Sequence, residues 1–122
     1  MSAPYILVVD DDKDIRTIVE LAMRFEGIRV ESAENGAAAL EKLRAPQLPI
    51  AIFVDLMMPV MDGWRFSEAV AADPRLNSIP ITVMTAFEDV ARPMPKAADV
   101  IRKPMSLATL RNAIGKYRAT SP

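Results

Sequence analysis

Asp55 is a carboxylate set inside an otherwise apolar stretch running from Leu48 to Met61. An ionised carboxylate buried alone is costly, so such a group either stays protonated or lies beside a cation. The theme of an apolar run ending in polar chemistry recurs along the chain. Tyr5 to Val9 runs into Asp10, Asp11 and Asp12, the run Ile81 to Met84 precedes Thr85, and Val100 and Ile101 precede Lys103. Two or three carboxylates converging in one crevice would repel one another unless a divalent cation neutralised them. Ligation by aspartates alone, with room for water, suits Mg²⁺ or Mn²⁺ and not zinc. A hydroxyl and an ammonium nearby would complete a pocket for a doubly charged oxyanion, and the chemistry implied is phosphoryl transfer to a carboxylate. Singly, each residue has a plainer reading: a capped turn for the acidic triplet, a strand-end hydroxyl for Thr85, a solvated charge for Lys103. Their joint placement favours a site, because functional groups gather at the carboxyl ends of strands in an open parallel sheet.

That argument needs a parallel sheet, and the hydrophobic pattern predicts one. Strand-length apolar runs alternate with segments of helical period, as in a sheet covered by helices on both faces. Tyr5 to Val9 reads as a buried strand. Ile15, Ile18, Val19, Ala22 and Met23 then recur at helical spacing, and the helix ends at Gly27. Arg29 to Ser32 alternates polar and apolar, as a half-exposed edge strand does. Asn35 and Gly36 turn into a second helix with Ala39, Leu40 and Leu43 on one face, and Ile50 to Val54 is the most apolar and hence central strand. Asp62 and Gly63 precede a third helix that carries Phe66, Ala69 and Val70 inward. Ile81 to Met84 forms a fourth strand, and Val100 and Ile101 a short last one. Ser106 caps a closing helix whose buried stripe is Leu107, Leu110 and Ile114. Between Phe87 and Ala98 the pattern is ambiguous, because Pro93 and Pro95 forbid a regular helix through its centre. Trp64, Phe66 and the methionines read as packing groups, while Arg16, Arg24, Glu41 and Lys42 read as solvated helix faces.

Composition narrows the function. The 122 residues fit one compact domain, 1–122, and the net charge of −1 argues against a dedicated nucleic-acid surface or a polybasic membrane patch. With no cysteine and no histidine, thiolate or imidazole metal sites and Ser-His-Asp or Cys-His catalysis are excluded. The N-terminus lacks the regions of a signal peptide and no apolar segment is long enough to span a bilayer, so a cytoplasmic location without membrane insertion is expected. A calcium-loop reading of Asp10, Asp12 and Asp14 fails, since Ile15 and Leu21 stand where glycine and a bidentate glutamate are needed.

Four stretches together resemble the receiver domain of two-component response regulators, in the single-domain chemotaxis-type form: Ile6 to Asp11, Val54 to Pro59 with Met61 to Gly63, Met84 to Ala86, and Lys103 with Pro104. The resemblance covers the whole chain. It implies a flavodoxin-like α/β fold, a doubly wound five-stranded parallel sheet of order 2-1-3-4-5 with five helices, the fourth here shortened or irregular. It implies Asp55 as phosphoacceptor, and a Mg²⁺ site of Asp11, Asp55 and the main-chain carbonyl of Met57, with Asp10 acting through water or from behind. It further implies phosphoryl contacts from Thr85, the backbone of Ala86 and Lys103, a resting pair between Lys103 and Asp55, and a cis bond before Pro104. The donor would be a phosphohistidine on a sensor kinase or phosphotransfer protein, and the output a contact with a downstream protein. One position departs from the family pattern: Val100 stands where an aromatic switch residue is common. Two other readings compete. One is a receiver-fold interaction module that works without phosphorylation, and the other a haloacid-dehalogenase-type phosphatase using Asp10 as nucleophile.

Overall fold

The computed structural model describes residues 3–86 and 99–120, with side chains as far as 116. Five strands, β1 (Tyr5–Val9), β2 (Arg29–Ala33), β3 (Ala51–Asp55), β4 (Ile81–Thr85) and β5 (Asp99–Arg102), form one parallel sheet of order β2-β1-β3-β4-β5. Among the described residues the helices are α1 (Lys13–Phe25), α2 (Gly36–Lys42), α3 (Gly63–Ala72) and α4 (Leu107–Thr120). The sheet order is the one expected, and each strand lies within a residue or two of its apolar run. The expected irregular helix and the prolines at 93 and 95 lie outside the described residues.

The period-2 alternation of the strands divides the core into two layers. Tyr5, Leu7 and Val9 of β1 join Ile52, Val54, Ile81 and Val83 under Ala39, Leu43, Phe66 and Val70 of the α2–α3 side. Ile6 and Val8 join Phe53 and Ile101 under Val19, Met23, Leu110 and Ile114 of α1 and α4. β1, β3 and β4 are buried along their whole length, whereas β2 is largely half-exposed, as an edge strand should be. No helix among the described residues is long and apolar enough to cross a membrane.

Side-chain caps set where each helix begins. Asp12, Asn35, Asp62 and Ser106 accept from the backbone N–H groups of Asp14, Ala38, Arg65 and Thr109 at 2.8, 2.9, 2.9 and 3.1 Å. α1 ends at a left-handed Gly27, φ +68°. Between β3 and α3 the chain makes a three-residue turn in which the Met61 N–H donates to the Pro59 carbonyl (2.7 Å) and the central Val60 takes φ +68°. A β-branched residue in that region is strained by roughly 1–3 kcal/mol, and the Val60 side chain, 78% exposed, recovers little by packing. Val60→Gly should therefore raise the urea midpoint by the equivalent of about 1 kcal/mol, after the entropic cost of glycine is subtracted; an unchanged or lower midpoint would contradict the strain.

Candidate functional site

Asp55 is the last residue of β3, and Asp10 follows directly on β1. Because the β1–β3 register pairs Val9 with Val54, the two aspartates emerge side by side at the carboxyl edge of the sheet. Asp10 is fully buried and Asp55 nearly so, while Asp11 is exposed. One carboxylate oxygen from each of the three lies within 4.8 Å of the others.

Asp10 is held on every polar atom. Its N–H donates to the Ala33 carbonyl of β2 (3.0 Å), its carbonyl accepts from the Arg16 guanidinium (2.8 Å), Oδ1 accepts the Asp12 N–H (2.9 Å) and Oδ2 the Lys103 ammonium (2.7 Å). Lys103 comes from the far side of the site. Its main-chain N–H donates to the Thr85 carbonyl (2.9 Å), which keeps the turn after β5 against the end of β4. From there Nζ lies 2.7 Å from Asp10 Oδ2 and 3.5 Å from Asp55 Oδ2. The expected resting pair with Asp55 is present, but the ammonium is shared and lies closer to Asp10. The physical reason is burial: the Asp10 carboxylate has no access to water and needs a counter-charge more than Asp55 does.

Asp55 is left as the less comfortable anion. Burial raises its pKa above the ordinary aspartate value and the neighbouring Asp10 raises it further, only partly offset by Lys103 and by the Leu56 N–H. Among the described residues, one ammonium beside three carboxylates leaves excess negative charge on hard oxygen donors, which fits a divalent cation such as Mg²⁺ or Mn²⁺. Met57, expected to add its carbonyl, lies in the loop two residues beyond Asp55, with its side chain 51% exposed.

The other expected residues fall around this cluster. Thr85 ends β4 and is buried, Ala86 follows it at the surface, and the Lys103–Pro104 bond is cis. Val100 lies in β5 with its side chain 48% exposed, pointing away from the buried layers.

Two residues matter beyond those expectations. Arg16, read above as a solvated helix-face residue, instead reaches back six positions to the Asp10 carbonyl. Gly63 packs the start of α3 onto the phosphoacceptor candidate itself: a Cβ there would stand 2.3 Å from the Asp55 carbonyl oxygen and 2.8 Å from the Leu56 Cα. Its N–H donates to the Leu56 carbonyl at 2.9 Å. Glycine is the only residue that allows this approach.

Gly63→Ala should accordingly push α3 off the β3 end, lowering thermal stability by more than the propensity gain of alanine could return and displacing Asp55; a variant at least as stable as the native chain would refute the close contact. The raised Asp55 pKa also fixes a sign. The folded chain holds the Asp55 proton more tightly than the unfolded chain, so stability is present with Asp55 protonated and is lost as pH rises from the ordinary carboxylate range through the raised folded value. In metal-free buffer at neutral pH, Asp55→Asn should melt above the native chain by about 2–5 °C. That advantage should vanish well below the ordinary aspartate pKa, where the Asp55 carboxyl is protonated in both the folded and the unfolded chain. A melting curve comparison across pH that shows no such convergence would contradict the assignment.

Comparison with known proteins agrees with this geometry. The family model described as response regulator receiver domain matches residues 6–115. Transcriptional regulatory protein PrrA of Mycobacterium leprae is 37% identical over 114 residues, covering 90% of this chain and 48% of that protein. The chain therefore spans about half the length of that relative. Protein Rrf1 of Nitratidesulfovibrio vulgaris is 29% identical over 121 residues, covering 96% of this chain and 87% of that protein. The solved structure of the chemotaxis response regulator CheY4 of Vibrio cholerae superposes with a TM-score of 0.84 at 27% identity, over 95% of this chain and 99% of that one. With its sheet order, its clustered aspartates and a family match over most of its length, the chain belongs to the response regulator receiver domain family.

Proposed function

We propose that this domain accepts a phosphoryl group on Asp55 from the phosphohistidine of a sensor kinase or histidine phosphotransfer protein, and passes the signal on by contact with a downstream protein. The observation that supports this most is the contrast between two neighbouring carboxylates. Both Asp10 oxygens accept hydrogen bonds and one of them takes the closer Lys103 contact, whereas Asp55 has the Leu56 N–H, a looser ion pair with Lys103 and a raised pKa. The less stabilised anion is the better nucleophile. The same contrast argues against Asp10 as a phosphatase nucleophile.

In the proposed reaction an Asp55 carboxylate oxygen bonds to phosphorus as the phosphorus–nitrogen bond of the phosphohistidine breaks, and the imidazole leaves with the bonding electron pair. Asp11 and Asp55, with the Met57 carbonyl, would hold Mg²⁺ directly, and Asp10 would act from behind through water. Bound there, the cation offsets the charge that builds between the incoming phosphoryl oxygens and the carboxylate. Lys103 moves its ammonium from the two aspartates to a phosphoryl oxygen, so its charge stays in use before and after transfer. The Thr85 hydroxyl and the Ala86 N–H supply further donors. A phosphoryl group biases such a domain only through contacts that differ between its two states. Val100 brings no ring that could exchange places with Thr85. What PrrA and CheY4 are named for, transcription and chemotaxis, belongs to those proteins.

Incubation with a small-molecule phosphodonor and Mg²⁺, followed by intact mass and peptide mapping, should show a single acid-labile phosphoryl adduct on Asp55, lost in Asp55→Asn and on chelation of the metal. An adduct on Asp10 would point to the phosphatase reading, and no adduct at all to an interaction module that works without phosphorylation.

A further inference from the structure

We propose that Arg16 is a positioning residue for the divalent cation site, acting through the peptide bond that joins Asp10 to Asp11. This rests on the reading of the acidic cluster as a cation and phosphoryl site. The starting observation is a single contact: the Arg16 guanidinium, on the fourth residue of α1, donates to the Asp10 carbonyl at 2.8 Å.

The placement of Arg16 is unfavourable on its own terms. A cation in the first turn of a helix faces the positive end of the macrodipole, where acidic residues are favoured. Arg16 is also half-buried, and among the described residues it pairs with no carboxylate. Its guanidinium instead satisfies a carbonyl just beyond the β1 ladder, where the chain leaves the sheet and no strand partner remains. A charge-assisted bond of this kind is stronger than a neutral one.

The consequence lies one residue on. Fixing the Asp10 carbonyl fixes the plane of the Asp10–Asp11 peptide, since the amide is rigid. That plane places the Asp11 N and Cα, the atoms from which its side chain leaves the backbone. The Asp10 carboxylate is anchored independently by the Asp12 N–H and by Lys103. The exposed Asp11 carboxylate makes no hydrogen bond or ion pair among the described residues, so its approach to Asp10 and Asp55 depends on the backbone that Arg16 holds. In metal sites, groups that orient a ligand without touching the ion commonly affect affinity by tenfold or more.

Positioning and simple charge make opposite predictions. If Arg16 acted only as a nearby positive charge, its removal would tighten cation binding. If it positions Asp11, removal weakens binding although one repelling charge is gone. Mg²⁺ titrations by calorimetry and by the fluorescence of Trp64, the single tryptophan, should show Arg16→Met binding on the order of tenfold more weakly than the native chain. Arg24→Met, which removes an exposed cation from the other end of α1, should bind as the native chain does. The Mg²⁺ concentration for half-maximal phosphorylation should rise in Arg16→Met by the same factor, with the rate at saturating Mg²⁺ restored. Arg16→Lys keeps a donor and the charge, and should lie closer to native than Arg16→Met; it also carries the test if the methionine variant fails to fold by circular dichroism. Native or tighter binding by the folded Arg16→Met, or by Arg16→Lys no closer to native than Arg16→Met, overturns the positioning role alone. Absence of Mg²⁺ binding by the native chain overturns the reading of the cluster and this proposal together.

Discussion

Repulsion among carboxylates at the end of a buried sheet is the constraint around which this domain is arranged. Two unit charges 4.8 Å apart, the span of the Asp10, Asp11 and Asp55 oxygens, repel by about 3 kcal/mol at an effective dielectric near 20. Among the described residues a single ammonium, Lys103, stands against three carboxylates. It can stabilise the pair it touches, yet it cannot neutralise the cluster. The residual negative charge suits a divalent cation, and it is a cost to the folded chain whenever none is bound. Replacing such charges with neutral groups commonly stabilises a protein.

The rest of the fold supplies the rigidity that holds the charges together. Two apolar layers clamp β1 and β3 from both sides, so their ends cannot separate to relieve the repulsion. The strands are about 4.8 Å apart, and β4 and β3 both lie between β5 and β1, so a lysine after β5 cannot reach Asp10 from a straight strand exit. The bond from its N–H to the Thr85 carbonyl extends the β4–β5 ladder and keeps its backbone against the end of β4, and from there the ammonium lies against the two aspartates. On the opposite side Gly63 lets the start of α3 rest against the backbone of Asp55 and Leu56. Gly36 serves a similar end beneath the same loop, where a Cβ would come within 2.7 Å of the Met61 Cγ.

Much of this was legible in the sequence, for identifiable reasons. Strands whose apolar runs end in charge reveal themselves because burial and charge rarely coincide without cause, and the caps Asn35, Asp62 and Ser106 are residue types with strong positional preference. What stayed hidden has no such signature. Arg16 bonds a main-chain carbonyl, and a backbone acceptor leaves no trace in residue type, so the side chain reads as another polar helix residue. The strain at Val60 is equally silent, since a β-branched residue is the least expected occupant of its conformation. The preference of Lys103 for Asp10 over Asp55 depends on a difference between 2.7 and 3.5 Å, which comes from how two turns fold over the sheet edge.

That difference assigns unlike roles to like residues. Asp10 and Asp55 share a chemical type, a sheet edge and a lysine, and neither is well exposed to water. Asp10 receives two hydrogen bonds to its carboxylate and a third to its carbonyl, so its charge is spent within the protein and its position is fixed from three directions. Asp55 receives less, and the presence of Asp10 makes its ionised form harder still to maintain. A carboxylate held as firmly as Asp10 would need those bonds broken before an oxygen could attack phosphorus. One held as loosely as Asp55, beside a lysine already within reach of the incoming charge, needs only a cation and a donor. Under the proposed function, the quiet aspartate helps to make its neighbour reactive, through the charge it adds and the lysine it keeps in place.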